Sequence, residues 1–214
     1  MSVLLMSPKG GNCTTVTASA LALLAAINGR HTLLIDLCGD APATLGMAEP
    51  ARPGINDWLA EHNSSDAASM VLLGEPVIDG LVVVHRGSKF VEGQPRWSQL
   101  AEAINTLPHN VIVDAGTGFI PMEIAQSVNA VTMVTKPCYL SLRRATTMPR
   151  PHNVVVIREE GRALTVADVG NVLNVPVVAE IPHTPAIARA VDAGLLPARV
   201  EQLFGSHFSQ LLSP

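Results

Sequence analysis

Short apolar runs rich in Val, Leu and Ile alternate with longer segments of helical period along the whole chain, and this alternation restricts the fold more than any other feature. Val3–Met6, Thr32–Leu37, Leu81–His85, Val111–Asp114, Ala130–Thr135, Val154–Ile157 and Val177–Ile181 read as strands. Thr15–Asn28, Trp97–Thr106, Pro121–Ser127, Leu140–Thr147, Thr165–Leu173 and Pro185–Ala193 read as helices. Gly29 suits a helix C-terminus, and Thr165 with Asp168 makes a capping pair. Strands joined through helices need crossovers, which build a mostly parallel sheet. The expected class is therefore α/β, a doubly wound, mostly parallel sheet with helices on both faces. One domain over residues 1–214 is expected, ending in a helix at about 198–212. Gly46–Gly54, Arg86–Pro95 and Met148–Asn153 read as the least structured stretches.

Composition agrees with this reading and narrows the function classes. Hydrophobic residues make up 48% and charged residues 15%, as a sheet buried on both faces requires. The formal net charge of −4 argues against a broad basic surface for nucleic acid. No stretch approaches the ~20 apolar residues that cross a bilayer. The start, MSVLLMS, has no charged n-region, so secretion is not expected. Cys13, Cys38 and Cys138 are too scattered for a disulfide framework, and a reducing cytoplasm is the expected compartment.

In a doubly wound sheet the first strand-to-helix junction is where phosphate binds. Here it reads Ser7-Pro8-Lys9-Gly10-Gly11-Asn12-Cys13-Thr14-Thr15-Val16. A working loop, G-x-x-x-x-G-K-[ST], uses glycines for close backbone approach, a lysine for phosphate charge and a hydroxyl for magnesium. Place and length are right, but Pro8, Cys13 and Thr14 stand at the first glycine, the second glycine and the lysine. Thr15 keeps its hydroxyl.

Lys9-Gly10-Gly11 resembles the deviant Walker A loop, K-G-G-x-G-K-[ST], of the ParA/MinD partition and positioning ATPases, a P-loop NTPase family. The resemblance runs in order through nearly the whole chain. Leu33-Leu34-Ile35-Asp36-Leu37-Cys38 is similar to the family's run ending in D-x-D, and Val111-Ile112-Val113-Asp114 to its Walker B strand. Ala115-Gly116-Thr117-Gly118 resembles the turn that follows, and Thr135–Ser141 the proline-to-serine segment after the next strand. In Val154–Arg158, Ile157 takes the place of an asparagine that carries adenine recognition. Ile181-Pro182-His183 and Arg189–Gly194 are similar to the closing I-P-x-D and A-x-x-x-G block.

What the resemblance implies is specific. Lys9, Gly10, Gly11, Asn12, Cys13, Thr14, Thr15, Asp36, Asp114 and Pro182 would form the nucleotide site for ATP or ADP. Thr15, Asp36 and Asp114 would serve magnesium if nucleotide binds, and Lys9 would reach across a dimer. Cys38 replaces the aspartate that positions the attacking water, which leaves Asp40 as the one candidate to substitute for it. Losses in phosphate charge, water positioning and base recognition together imply a pseudo-ATPase with weak or absent ATP binding and hydrolysis, acting in partition or positioning by dimerisation and partner recruitment. The alternatives are an active ATPase using Lys9 and a nucleotide-independent scaffold paired with an intact ParA-type relative.

Other features read more plainly. Three thiols near one cleft allow a thiol switch or metal site, but no C-x-x-C pair supports it. Arg143, Arg144 and Arg150 are the only basic concentration, a solvated helix face or a contact to DNA phosphates. Val200, Leu203, Phe204, Phe208, Leu211 and Leu212 fall at helical spacing, yet Arg199 is the only Lys or Arg between Ala198 and Pro214. Packing against the sheet or a partner is expected rather than membrane binding.

Overall fold

The computed structural model describes residues 1–60, 66–87 and 95–208. The chain runs β1 (Ser2–Ser7), α1 (Thr14–Ile27), β2 (Thr32–Asp36), α2 (Ala41–Thr44), α3 (Ile55–Ala60), α4 (Ala67–Val71), β3 (Glu75–Ile78) and β4 (Leu81–Val84). It continues through α5 (Trp97–Thr106), β5 (Asn110–Thr117), α6 (Met122–Ser127), β6 (Ala130–Thr135), α7 (Tyr139–Ala145) and β7 (Asn153–Arg158). The last described elements are α8 (Val166–Leu173), β8 (Val177–Pro182), α9 (Pro185–Asp192) and α10 (Leu196–Phe204).

The strands form one sheet in the order β3-β4-β2-β5-β1-β6-β7-β8. Every neighbouring pair is parallel except β3 with β4. This is the doubly wound α/β sheet that the sequence implies. Period-two alternation sends Val3, Leu5 and Leu34 into one apolar layer and Leu4, Met6, Leu33 and Ile35 into the other. Helices α1, α2, α9 and α10 cover the first layer, and α3 to α8 the second.

Helix α1 is buried around nearly its whole circumference, since α10 lies over the face turned away from the sheet. Small residues, Ala18, Ala20, Ala22, Ala25 and Ala26 among them, let both neighbours approach closely. Val200, Phe204 and Phe208 are buried, with the two phenyl rings stacked 5.9 Å apart. The C-terminal helix thus packs chiefly on α1 and α9 rather than directly on the sheet. It begins at Leu196 and ends at Phe204, and residues 209–212 of the expected helix lie outside the described residues. Among the described residues no helix is long and apolar enough to cross a membrane.

Several elements escaped the sequence reading for local reasons. Strand β3 is short, contains Pro76 and sits at the sheet edge, where proline costs no internal ladder bond. The two-residue Asp79-Gly80 turn, with Gly80 at φ 79, joins it to β4 and was the legible signal. Helices α2, α3 and α4 are four to six residues long, below the length at which helical period shows. Asn153, expected in a loop, opens β7, while 88–94 of the expected loop Arg86–Pro95 lie outside the described residues. The Thr165–Asp168 capping box is present in full.

Candidate functional site

The C-terminal ends of β1, β2, β4 and β5 open onto one cleft of about 1070 Å³. Its floor is the loop after β1, and its walls are the loops after β2 and β5, helix α2 and the start of α5. This is the position at which open α/β sheets bind ligands.

The floor is a tight loop with left-handed backbone at Gly11 and Cys13. Cys13 is the N-cap of α1 and adopts φ 63, ψ 32, a left-handed conformation unfavourable for a residue with a Cβ. Thr17 Oγ1 donates to the Cys13 carbonyl at 2.8 Å. Asn12 is buried and its Nδ2 donates to Ser7 Oγ at 2.9 Å and to Ser141 Oγ at 3.4 Å, tying the loop to β1 and α7. A Cβ built on Gly10 or Gly11 would meet nothing within 4 Å, so the space above the loop is open.

The loop's one cation, Lys9, does not line the cleft. Thr14 is buried at the lysine position, opening α1. Lys9 Nζ donates to the carbonyl of Gly10 at 3.2 Å, within its own loop. Lys136, after β6, is paired with Glu159 at 2.5 Å, and that hydrogen bond holds the Glu159 carboxyl down at about 2. Arg86, which the sequence reading placed only at the start of a loop, lines the cleft and donates from Nη1 to the Cys38 carbonyl at 3.1 Å. Ile55 N and Asn56 N donate to the carbonyls of His85 and Arg86, which fixes α3 to the end of β4 and sets Asn56 and Arg86 in the wall. The signal for Arg86 was its position just beyond β4, a strand adjacent to β2; Asn56 carried none.

Asp36 and Asp114 pair in register on neighbouring strands, on the α1 side of the sheet with Leu34 and Ile112. Both are fully buried. Asp36 Oδ1 accepts from the amides of Cys38 and Gly39 at 2.8 Å each, and Oδ2 accepts from Ala41 N at 3.0 Å. Burial pushes the Asp36 carboxyl above its ordinary value against those three amides. Asp114 Oδ1 accepts from Gly116 N at 3.0 Å, whereas Oδ2 is buried with no hydrogen-bond partner. Burial raises Asp114 to about 6; the nearby Thr15 hydroxyl opposes the rise and the Asp36 charge adds to it. Thr15 approaches without completing a hydrogen bond to Oδ2.

Strand β5 runs three residues past Asp114, where a turn was expected. An irregularity between the Leu5–Asp114 and Ser7–Thr117 pairs places one extra residue in β5, and Gly116 takes it up at φ 57. A Cβ on Gly116 would lie 2.2 Å from Cys38 Sγ. The thiol is therefore seated on the β5 bulge, 3.5 Å from the Asp114 carbonyl, and burial beside two carboxylates pushes its pKa up. Asp40 is exposed on the cleft wall at the start of α2.

The remaining expected site residues separate. Pro182 ends β8 and lines a smaller apolar cavity of about 200 Å³ with Ile157 and Ile187, which shares Cys13 and Val16 with the main cleft. Cys138 caps α7 and does not line the main cleft. Arg143 and Arg144 are exposed in the last turn of α7, while Arg150 Nη2 is fastened to the Asn174 carbonyl at 2.9 Å. The cleft fits a magnesium–phosphate group in shape, through its open floor, the α1 N-terminus and Thr15 beside Asp114, while the loop's cation, Lys9, is bonded to the Gly10 carbonyl.

No protein-family model and no curated protein sequence matches the chain. Solved structures do match it. The septum site-determining protein MinD from Pyrococcus horikoshii, complexed with Mg-ADP, superposes with a TM-score of 0.77 at 17% identity, over 99% of this chain and 93% of that one. The MinC:MinD cell division complex of Aquifex aeolicus gives 0.76 at 17%, over 99% and 92%. A ParA family ATPase from Chlorobium tepidum gives 0.73 at 20%, over 99% and 93%.

Proposed function

Starting from a fold shared with MinD and ParA-family ATPases, we propose that this chain is a cytoplasmic partition or positioning protein. It acts as a pseudo-ATPase, by dimerisation and recruitment of a protein partner, with weak or absent ATP binding and turnover. One observation carries the reading. The loop after β1 stands at the phosphate-binding position and is left-handed at residue 13, while Thr14 occupies the lysine position. Shape without charge suits a protein that keeps the architecture of a nucleotide switch and has lost its affinity.

The neighbours support the class of partner and ligand. The Pyrococcus protein holds Mg-ADP, and the Aquifex protein is in complex with MinC. In this chain Gly10, Gly11, Asn12 and the amides of Cys13, Thr14 and Thr15 would contact phosphates, with Lys9 reaching across a dimer. Magnesium, if held with nucleotide, would be served by Thr15, Asp114 and Asp36 and would offset phosphate charge. Asp36 accepts backbone amides at both carboxylate oxygens, which shapes the loop after β2 and leaves Oδ2 one lone pair. Calorimetric titration with ATP and ADP, with and without magnesium, tests the reading. Expected is affinity far weaker than micromolar for both nucleotides. Tight binding with magnesium-dependent phosphate release overturns it in favour of an ATPase using Lys9.

A further inference from the structure

Cys38 lines the cleft, and Asp36 and Asp114 lie buried beside it; the thiol is the member of this set that does not match magnesium. The carboxylates of Asp36 and Asp114 and the thiol of Cys38 bring their ligand atoms within 4.8 Å of one another. Asp114 Oδ2 is buried and has no hydrogen-bond partner, a costly condition for a carboxylate unless something else satisfies it. Asp36 Oδ2 accepts a single amide hydrogen bond and keeps a second lone pair. The Cys38 thiol makes a long contact to the Asp114 carbonyl and also faces the Asp114 carboxylate. Arg86 meets this loop at the Cys38 carbonyl.

We propose that Asp36, Cys38 and Asp114 form a binding site for a borderline divalent transition metal, zinc above all, held without nucleotide. The step goes beyond the positioning role, since it needs neither ATP nor a partner. Thiolate is a soft donor that selects zinc and its neighbours over magnesium, and imidazole is not required when carboxylates complete the set. A tetrahedral zinc with bonds of about 2.0–2.3 Å sets its ligands about 3.5 Å apart, so the three groups need to draw in by about 1.3 Å at most. Asp36 and Asp114 are fixed by their register on adjacent strands, and the loop carrying Cys38 is held by Asp36 Oδ1 and Arg86. The metal supplies the positive charge that two buried carboxylates and a thiolate lack, and the thiol proton leaves to solvent on binding. The open cleft beside Thr15 leaves room for water or a ligand oxygen as the fourth donor.

Cobalt(II) alone, as a coloured substitute for zinc, tests this in the metal-stripped protein. To isolate the site, Cys13→Ser and Cys138→Ser are introduced together. Expected is a sulfur-to-cobalt charge-transfer absorption saturating at one cobalt per chain, displaced by zinc and not by magnesium in about hundredfold excess. Adding Cys38→Ser removes the absorption. Asp114→Asn weakens binding by at least about a hundredfold, beyond what loss of an outer-sphere partner causes. Zinc also raises the thermal midpoint of the parent and leaves that of Cys38→Ser unchanged, which separates loss of the site from loss of the fold. Absence of the absorption, its persistence in Cys38→Ser, or displacement by magnesium overturns the proposal.

Discussion

Restoring the two altered loop residues separates shape from charge. Cys13→Gly removes a left-handed strain of roughly 1–2 kcal/mol and returns roughly 0.5–1 kcal/mol to the unfolded chain as entropy. Its net effect is a small gain in stability, and it leaves affinity nearly unchanged, because Cys13 already holds the loop conformation at φ 63. Thr14→Lys places an ammonium on the first helical residue, at the cleft lining. A charge-assisted phosphate contact is worth about 1.5–3 kcal/mol, so ATP affinity should rise roughly 10- to 100-fold or more. Calorimetry on the four chains, natural, Cys13→Gly, Thr14→Lys and double, reads these effects separately. Single-turnover phosphate release should stay negligible in the double variant, since the Cys38 thiol still stands where a water-orienting carboxylate is needed. Slow turnover should follow only when Cys38→Asp is added. A natural chain that binds ATP at low micromolar concentration, or a folded double variant that binds no tighter, refutes the reasoning. Ordinary turnover in the double variant would instead assign water orientation to Asp40.

Gly116→Ala should destabilise the chain by about 2–4 kcal/mol, from a left-handed φ and a Cβ 2.2 Å from Cys38 Sγ, read by urea unfolding; a change within experimental error would contradict the bulge. The Asp114 carboxyl, held at about 6 against an ordinary 3.8, favours the protonated folded state. In chelated buffer its penalty is therefore absent below pH ~4, grows as pH rises through about 4–6 and reaches about 3 kcal/mol above that range. Asp114→Asn should remove that stretch of the pH–stability curve and be the more stable chain at neutral pH; an unchanged curve would count against burial as the cause. The chain should not sediment with anionic liposomes, with or without ATP, because Val200, Phe204 and Phe208 are buried and unavailable to a bilayer. Robust co-sedimentation lost on deletion of Val200–Pro214 would overturn that assignment.

The sheet was legible because its strands are nearly continuous apolar runs and its helices long enough to show a period. Asp36 and Asp114 were legible for a related reason: carboxylates ending such runs lie side by side when the strands pair in parallel. Cys38 was legible as a substitution, but its place was not. Its contact with Gly116 depends on one extra residue in β5, a feature of pairing between strands distant in sequence. Arg86 and Asn56 were missed because each sits on a segment without periodicity, and only the β4–α3 backbone hydrogen bonds bring them into the wall. Pro182 was legible as a strand end, while its apolar neighbours Ile157 and Ile187 come from separate elements.

A left-handed Cys13 persists only if its surroundings determine it more strongly than its own preference opposes it. Three restraints do so independently of any ligand. The Thr17 hydroxyl holds the Cys13 carbonyl, the buried Asn12 amide ties the preceding turn to Ser7 and Ser141, and α1 is clamped between the sheet and α10. The loop is thus held by packing and side-chain hydrogen bonds. None of these restraints involves the side chain of residue 14, the position where a lysine would add charge. Residue 14 can then be exchanged between threonine and lysine while the fold, the α1 N-terminus and the paired aspartates remain in place. That separability is why Thr14→Lys is expected to act on affinity with little effect on structure.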